Sequence, residues 1–382
     1  MSHPPVPPHN TRLGFHYYPD SSHFRKSDLD AWLPELKAMG ASWLALQAPA
    51  NRAIPEQFLT GLLEAGIEPV LQLNLPLEPT RWGLGCSPDS LRLLFSTYAQ
   101  WGVHYIQPFE RPNSRSAWPA SAWAQSDLVE RFLDLYLPTT RRALEAGLTP
   151  VFPCLEPGGD YWDTAFLKAA LHGLERRGCQ EILENLVLSA AARTDKRPLN
   201  WGAGGPERWP GRRPYISSGP GEDHQGFYIF DWYLAVARAA LGKPLPILLF
   251  EAGKYSPAEP ARCEQQDCSI YARTAAEEEA HARRAAAIAQ ALSAAPGNGA
   301  ESVTTVDGPL EPISPHVLGC SLWLLAAGPG SRYALEAWYS PDGEPLPAAG
   351  ALRAWNSTRF ETDLPDGTLL AATEPATANL PS

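Results

Sequence analysis

The residues most able to do chemistry stand at the ends of apolar runs. Glu251 follows Pro246-Ile247-Leu248-Leu249-Phe250 and precedes Ala252 and Gly253. A carboxylate there is costly if it is buried without a partner. It is therefore either a working group or a structural carboxylate paired with an arginine at a rim. Glu110 closes a second run, Tyr105-Ile106-Gln107-Pro108-Phe109, and Arg111 follows it directly. Two carboxylates about 5 Å apart can cleave a glycosidic bond with retention, one attacking while the other carries protons. The simpler alternative for Glu110 is an ion pair with Arg111.

Other polar side chains occupy comparable places. His16 and Tyr17 end the first apolar run, and Asn74 ends the third. Asn113 lies just past Arg111 and Pro112, Glu156 and Asp160 follow PVFPCL, and Trp323 sits within LGCSLWLL. With Arg111 and His224 these are the candidate substrate-binding residues. Asp160 and Asp163 equally suit a helix cap, and single histidines such as His16 and His224 are often structural hydrogen-bonding groups. The six cysteines are scattered. Cys154 and Cys320, in apolar runs, read as buried thiols, and Cys263 and Cys268 are close enough for a local disulfide. No CxxC pair or His-rich cluster has metal-ligand spacing, so neither a metal nor a cofactor is expected.

The elements that must position these residues recur in one pattern: an apolar run, a polar or proline-bearing end, an amphipathic stretch, then a glycine. Leu29, Trp32, Leu33, Leu36 and Met39 keep helical spacing, with Ser27 as the expected cap and Gly40 as the stop. Ser87-Pro88 opens another helix, and Thr274 with Glu277 forms a capping-box pattern. Eight strands are expected, beginning at LGFHYYP, SWLALQAP, EPVLQLNLP, VHYIQPFE, TPVFPCL, LVLSAAA, LPILLFEAG and VLGCSLWLLAAG. Eight strands alternating with helices predict a single (β/α)8 TIM barrel with long βα loops, one of them spanning residues 197–226. The barrel is assigned to residues 12–358, after a Pro-rich arm at 1–11 and before a disordered tail at 359–382. In such a barrel the strand ends carry the chemistry.

The strand-seven run Pro246-Ile247-Leu248-Leu249-Phe250-Glu251-Ala252-Gly253 resembles the nucleophile setting of the clan A glycoside hydrolases, cellulase-like TIM barrels. The resemblance implies Glu251 as nucleophile, a strand-four Glu as acid/base and Trp323 as the floor of a sugar site. Two strand ends depart from it. Where members carry Asn-Glu, this chain has Glu110-Arg111, which puts an arginine at the acid/base position; arginine does not release its proton near neutral pH. A one-residue offset along a strand turns a side chain to the opposite face. Where members place His and Tyr after strand six, this chain has Ala191, Ala192 and Arg193. The resemblance thus implies either a retaining O-glycosidase, with Glu110 as acid/base, or a catalytically inactive barrel that binds carbohydrate.

Composition narrows the partners. The net charge of -11 argues against nucleic acid, which needs concentrated Lys and Arg. No apolar run approaches the roughly 20 residues needed to cross a bilayer. No G-x-G-x-x-G follows the first strand and no G-x-x-x-x-G-K-[ST] occurs, which removes the main nucleotide-binding readings. The N-terminus MSHPPVPPHN lacks the regions of a signal peptide, so a cytoplasmic location is expected. Thirteen Trp and thirteen Tyr, several in expected loops, suit an oligosaccharide or glycoside as the partner.

Overall fold

The computed structural model describes residues 4–78, 87–195, 197–209, 223–254, 274–294, 303–305 and 308–362. Eight parallel strands form the sheet: Leu13–His16, Trp43–Gln47, Glu68–Gln72, Tyr105–Gln107, Thr149–Pro150, Leu188–Ala191, Ile247–Ala252 and Val317–Leu322. Each of the first four pairs with the next, the first also pairs with the eighth, the eighth with the seventh and the seventh with the sixth. A parallel bridge between Val151 and Val187 joins the fifth strand's end to the sixth, completing the ring. The expected (β/α)8 barrel is the fold observed.

Strand alternation builds two cores. Trp43, Ala45, Val70, Tyr105, Val151, Val187 and Leu248 fill the barrel interior. Their neighbours Leu44, Leu46, Leu71, Ile106 and Leu188 face outward and pack under the helices. Gln47, Gln72 and Gln107 share one register across the second, third and fourth strands, forming a polar layer at the upper end of the barrel. The N-terminal arm closes the lower end. Asn10 accepts a hydrogen bond from the Trp43 indole at 2.8 Å and donates to the Leu318 carbonyl at 3.0 Å. The Tyr105 hydroxyl donates to the Pro5 carbonyl.

The helices start largely where the capping residues place them. Ser87 accepts from the Ser90 amide at 3.2 Å with Pro88 in the first turn, and Thr274 and Glu277 form a reciprocal capping box. The first helix departs from expectation. It spans Lys26–Ala38 with Arg25, not Ser27, at the cap, because the Asp28 carboxylate reaches back to the Arg25 amide at 2.8 Å. The last helix, Pro347–Thr362, runs past the expected barrel boundary at 358. Cys154, Cys179 and Cys320 are buried free thiols, while Cys263 and Cys268 lie outside the described residues. Among the described residues no helix is long and apolar enough to cross a membrane.

Candidate active site

A cavity of about 390 Å³ opens at the C-terminal ends of the strands, lined by His16, Gln47, Gln72, Asn74, Glu110, Arg111, Glu251, Lys254 and Trp323 among others. Glu251 closes the seventh strand with a left-handed backbone, φ +51°. Asn74 and Arg111 share that conformation, each at φ +48°. For residues with a side chain this costs on the order of 1–3 kcal/mol apiece and clusters at functional sites. The left-handed turn also explains Arg111. The fourth strand ends at Gln107, so inward–outward alternation no longer governs positions 110 and 111, and both side chains line the cavity.

Glu251 is buried at the centre of an ionic network. Arg111 donates from Nη2 to its Oε1 at 2.5 Å, and Arg193 from Nε to its Oε2 at 2.5 Å. Lys254 Nζ lies 3.7 Å from Oε1. Arg193 also grips Glu156 with both Nη atoms, at 2.6 and 2.9 Å. Arg111 Nη1 approaches Glu156 at 3.3 Å, and its Nε approaches Glu110 at 3.2 Å. The structural alternatives raised by the sequence therefore both exist as contacts: Glu251 and Glu110 each pair with arginine.

The environments of the two carboxylates differ. Burial alone would raise the pKa of Glu251, but Arg193, Lys254 and Arg111 outweigh it and hold the group well below the usual carboxylate range. Glu110 moves the other way. Its burial at the cavity wall, aided by the charge of Glu251, pushes its pKa up despite Arg111. Beneath them, His16 Nε2 accepts the Glu251 backbone N–H at 3.0 Å, which leaves the ring proton on Nδ1. Burial, reinforced by Lys254 and Arg111 against the pull of Glu251, lowers the His16 pKa to about 4, so the imidazole is neutral.

Trp323, at the end of the strand beside that of Glu251, forms another part of the wall. Its ring meets the His16 ring edge-on at 5.0 Å, and its indole N–H donates to Glu336. Lys254 Nζ stands 4.2 Å from the Trp323 ring centroid and 4.0 Å from a Glu336 oxygen. Across the cavity, Asn74 donates to Gln47 at 2.7 Å and Gln47 donates to Gln72 at 2.9 Å, a chain of amides along the strand ends.

The structure thus brings His16, Asn74, Glu110, Arg111, Glu251 and Trp323 to one cavity and joins Glu156 to it through Arg111 and Arg193. Four expected residues stand elsewhere. Tyr17 is buried between Phe24 and Phe58, because the residue after His16 points outward to the helices. Asn113 is buried, its carboxamide donating to the Glu156 and Tyr161 carbonyls and accepting the Glu156 amide, so it fastens the loop after strand five to the loop after strand four. Asp160 accepts the Arg115 amide at 2.8 Å in the same junction. His224 is buried with Nε2 against the Asp163 carboxylate at 2.8 Å. Asp163 also accepts from the Tyr233 hydroxyl and the Gly158 amide, so it works as a buried acceptor while Trp162 occupies the helix cap.

Lys254 and Arg193 are the main residues that sequence reasoning missed. Both carried a signal: Lys254 falls three residues after Glu251, and Arg193 stands where strand six departs from the resemblance. Among the described residues no group of His, Cys, Asp and Glu could hold a metal ion.

No family model matches the sequence, and no curated protein is significantly similar to it. The chain does superpose on solved barrels. A monomeric β-xylosidase from Caulobacter crescentus CB15 matches with a TM-score of 0.52 at 12% identity, over 93% of this chain and 69% of that one. Xylanase 10B from Thermotoga maritima matches at 0.51 and 12% identity, over 92% and 96%. GH5_18 from Streptomyces cattleya, in complex with GlcNAc, matches at 0.50 and 16% identity, over 93% and 81%. These neighbours are clan A glycoside hydrolases, and at such identity the likeness is one of fold.

Proposed function

We propose that this barrel hydrolyses an O-glycosidic bond with retention, Glu251 attacking the anomeric carbon and Glu110 handling the protons. One observation carries the reading: two carboxylates facing one cavity have pKa values pushed in opposite directions, Glu251 down and Glu110 up. That divergence is how a site divides the roles of ionised nucleophile and proton carrier. A single guanidinium touches both groups, so their nearest oxygens lie within roughly 8 Å of each other, a ceiling that admits the about 5 Å of a retaining pair. The glycoside hydrolase fold of the chain supports the same reading, with an oligosaccharide or glycoside as substrate and the Trp323 face as a wall of the sugar site.

The test is Glu251→Gln assayed on a panel of 4-nitrophenyl glycosides. Turnover should fall by about 10³ or more, some 4 kcal/mol of transition-state stabilisation. Unchanged turnover sinks the reading. A second reading, a carbohydrate-binding barrel without turnover, is favoured by the two guanidiniums that hold both Glu251 oxygens at 2.5 Å. It expects oligosaccharides to quench Trp fluorescence while the wild-type protein leaves every aryl glycoside intact.

A further inference from the structure

The guanidinium of Arg111 lies between Glu110 and Glu251, 3.2 Å from one and 2.5 Å from the other. Bond cleavage between two carboxylates places the departing oxygen in that space. Arg111 cannot protonate it, but it can stabilise negative charge that develops there. Each of its Nη atoms carries a second N–H beyond the one directed at Glu156 or Glu251, and the side chain faces the cavity. A bare carboxylate pair would repel an anionic group. Here Glu110, Glu156 and Glu251 are each paired with Arg111 or Arg193, and Lys254 stands between Glu251 and Glu336. Arg332 adds a further cation to the cavity wall, with no carboxylate partner among the described residues.

We propose that the leaving group of the substrate departs as an oxyanion, the substrate being a glycosyl phosphate, and that Arg111 is the specificity-determining residue that receives it. The proposal rests on the reading of Glu251 as nucleophile. In the first step a Glu251 oxygen forms a bond to the anomeric carbon of the glycosyl phosphate monoanion. The bond from that carbon to the phosphate oxygen breaks, and the electron pair leaves on hydrogen phosphate dianion, so no proton donor is required. In the second step water attacks the same carbon, its proton passes to the Glu110 carboxylate, and Glu251 is released as carboxylate. Atoms and charge balance: glycosyl phosphate and water give free sugar and inorganic phosphate, with the proton then lost from Glu110.

The experiment compares glycosyl 1-phosphates, in both anomers, with the methyl glycosides of the same sugars, using glucose, galactose and xylose and the full-length protein. The expected result is kcat/KM at least about 100-fold higher for one of the phosphates than for its methyl glycoside, with that ratio cut at least tenfold in Arg111→Gln and largely kept in Arg111→Lys. Inorganic phosphate should inhibit 4-nitrophenyl glycoside hydrolysis competitively in the wild-type protein, a measurement that needs no variant. Equal rates on the two substrate types, or a ratio unmoved by Arg111→Gln, overturn the proposal. If aryl glycosides are cleaved through Glu251 while phosphates hold no advantage, the hydrolase reading stands and this proposal falls. If neither aryl glycosides nor glycosyl phosphates are cleaved, both fall.

Discussion

At the residue scale the site is defined by opposed demands on buried charge. Glu251 stays ionised because three cations surround it, and His16 stays neutral because its burial, reinforced by two of them, Lys254 and Arg111, opposes a further positive charge. The histidine makes a stability prediction with a definite sign. Unfolded, its pKa is near 6.5; folded, it is lowered to about 4. Between those values the unfolded chain binds a proton that the folded chain does not, so the His16 contribution is fully present above the unfolded value. It is lost as pH falls toward the folded one. The loss amounts to about 3 kcal/mol at most, because each tenfold change in proton affinity is worth about 1.4 kcal/mol. Urea unfolding midpoints at pH 7 and pH 4.5 should differ less for His16→Gln than for the wild-type protein; the same difference in both would remove His16 from the explanation.

At the scale of elements, the strand ends alone do not set the geometry; the junction between two loops does. Asn113, past the fourth strand, binds the backbone of Glu156, past the fifth, through one donated and one accepted hydrogen bond of 2.8 Å each. That clasp holds Glu156 where Arg193 and Arg111 can reach it. Asn113→Ala should cost about 2–3 kcal/mol, since it strands the Glu156 N–H and the Glu156 and Tyr161 carbonyls of the loop after strand five, and should lower turnover on aryl glycosides. Asp160→Ala, which removes one exposed acceptor, should cost under about 1 kcal/mol. Equal costs for the two in thermal denaturation would show that the clasp lies elsewhere. The strands and most helices were legible because glycine stops, Ser87-Pro88 and the Thr274–Glu277 pair are local signals. The roles of Asn113, Asp160 and His224 were not, because they depend on which loops meet. Nor was the inward turn of Arg111, because it depends on a left-handed backbone that no residue type at that position announces.

At the scale of the whole molecule, one indole organises the lower barrel. Trp43 comes from the second strand, yet it touches the first and eighth. A Cβ on Gly14 would lie 2.6 Å from the Trp43 Cβ and carbonyl oxygen, and one on Gly319 would lie 2.8 Å from the indole ring. The same indole donates to Asn10 of the N-terminal arm, which reaches Leu318 in turn. The sequence shows eight strands but not this convergence, since nothing local ties residues 10, 43 and 319 together. Gly319→Ala should therefore destabilise by about 1–3 kcal/mol, because the added methyl meets a ring that barrel neighbours hold in place. Trp43→Leu should also destabilise, by leaving a cavity and removing the indole hydrogen bond to Asn10. Combined, the two changes should cost at least about 1 kcal/mol less than their separate effects, because the smaller side chain makes room for the methyl. Urea unfolding of the four proteins measures the coupling. Additive costs would mean that Gly319 is required for some reason other than the space Trp43 fills.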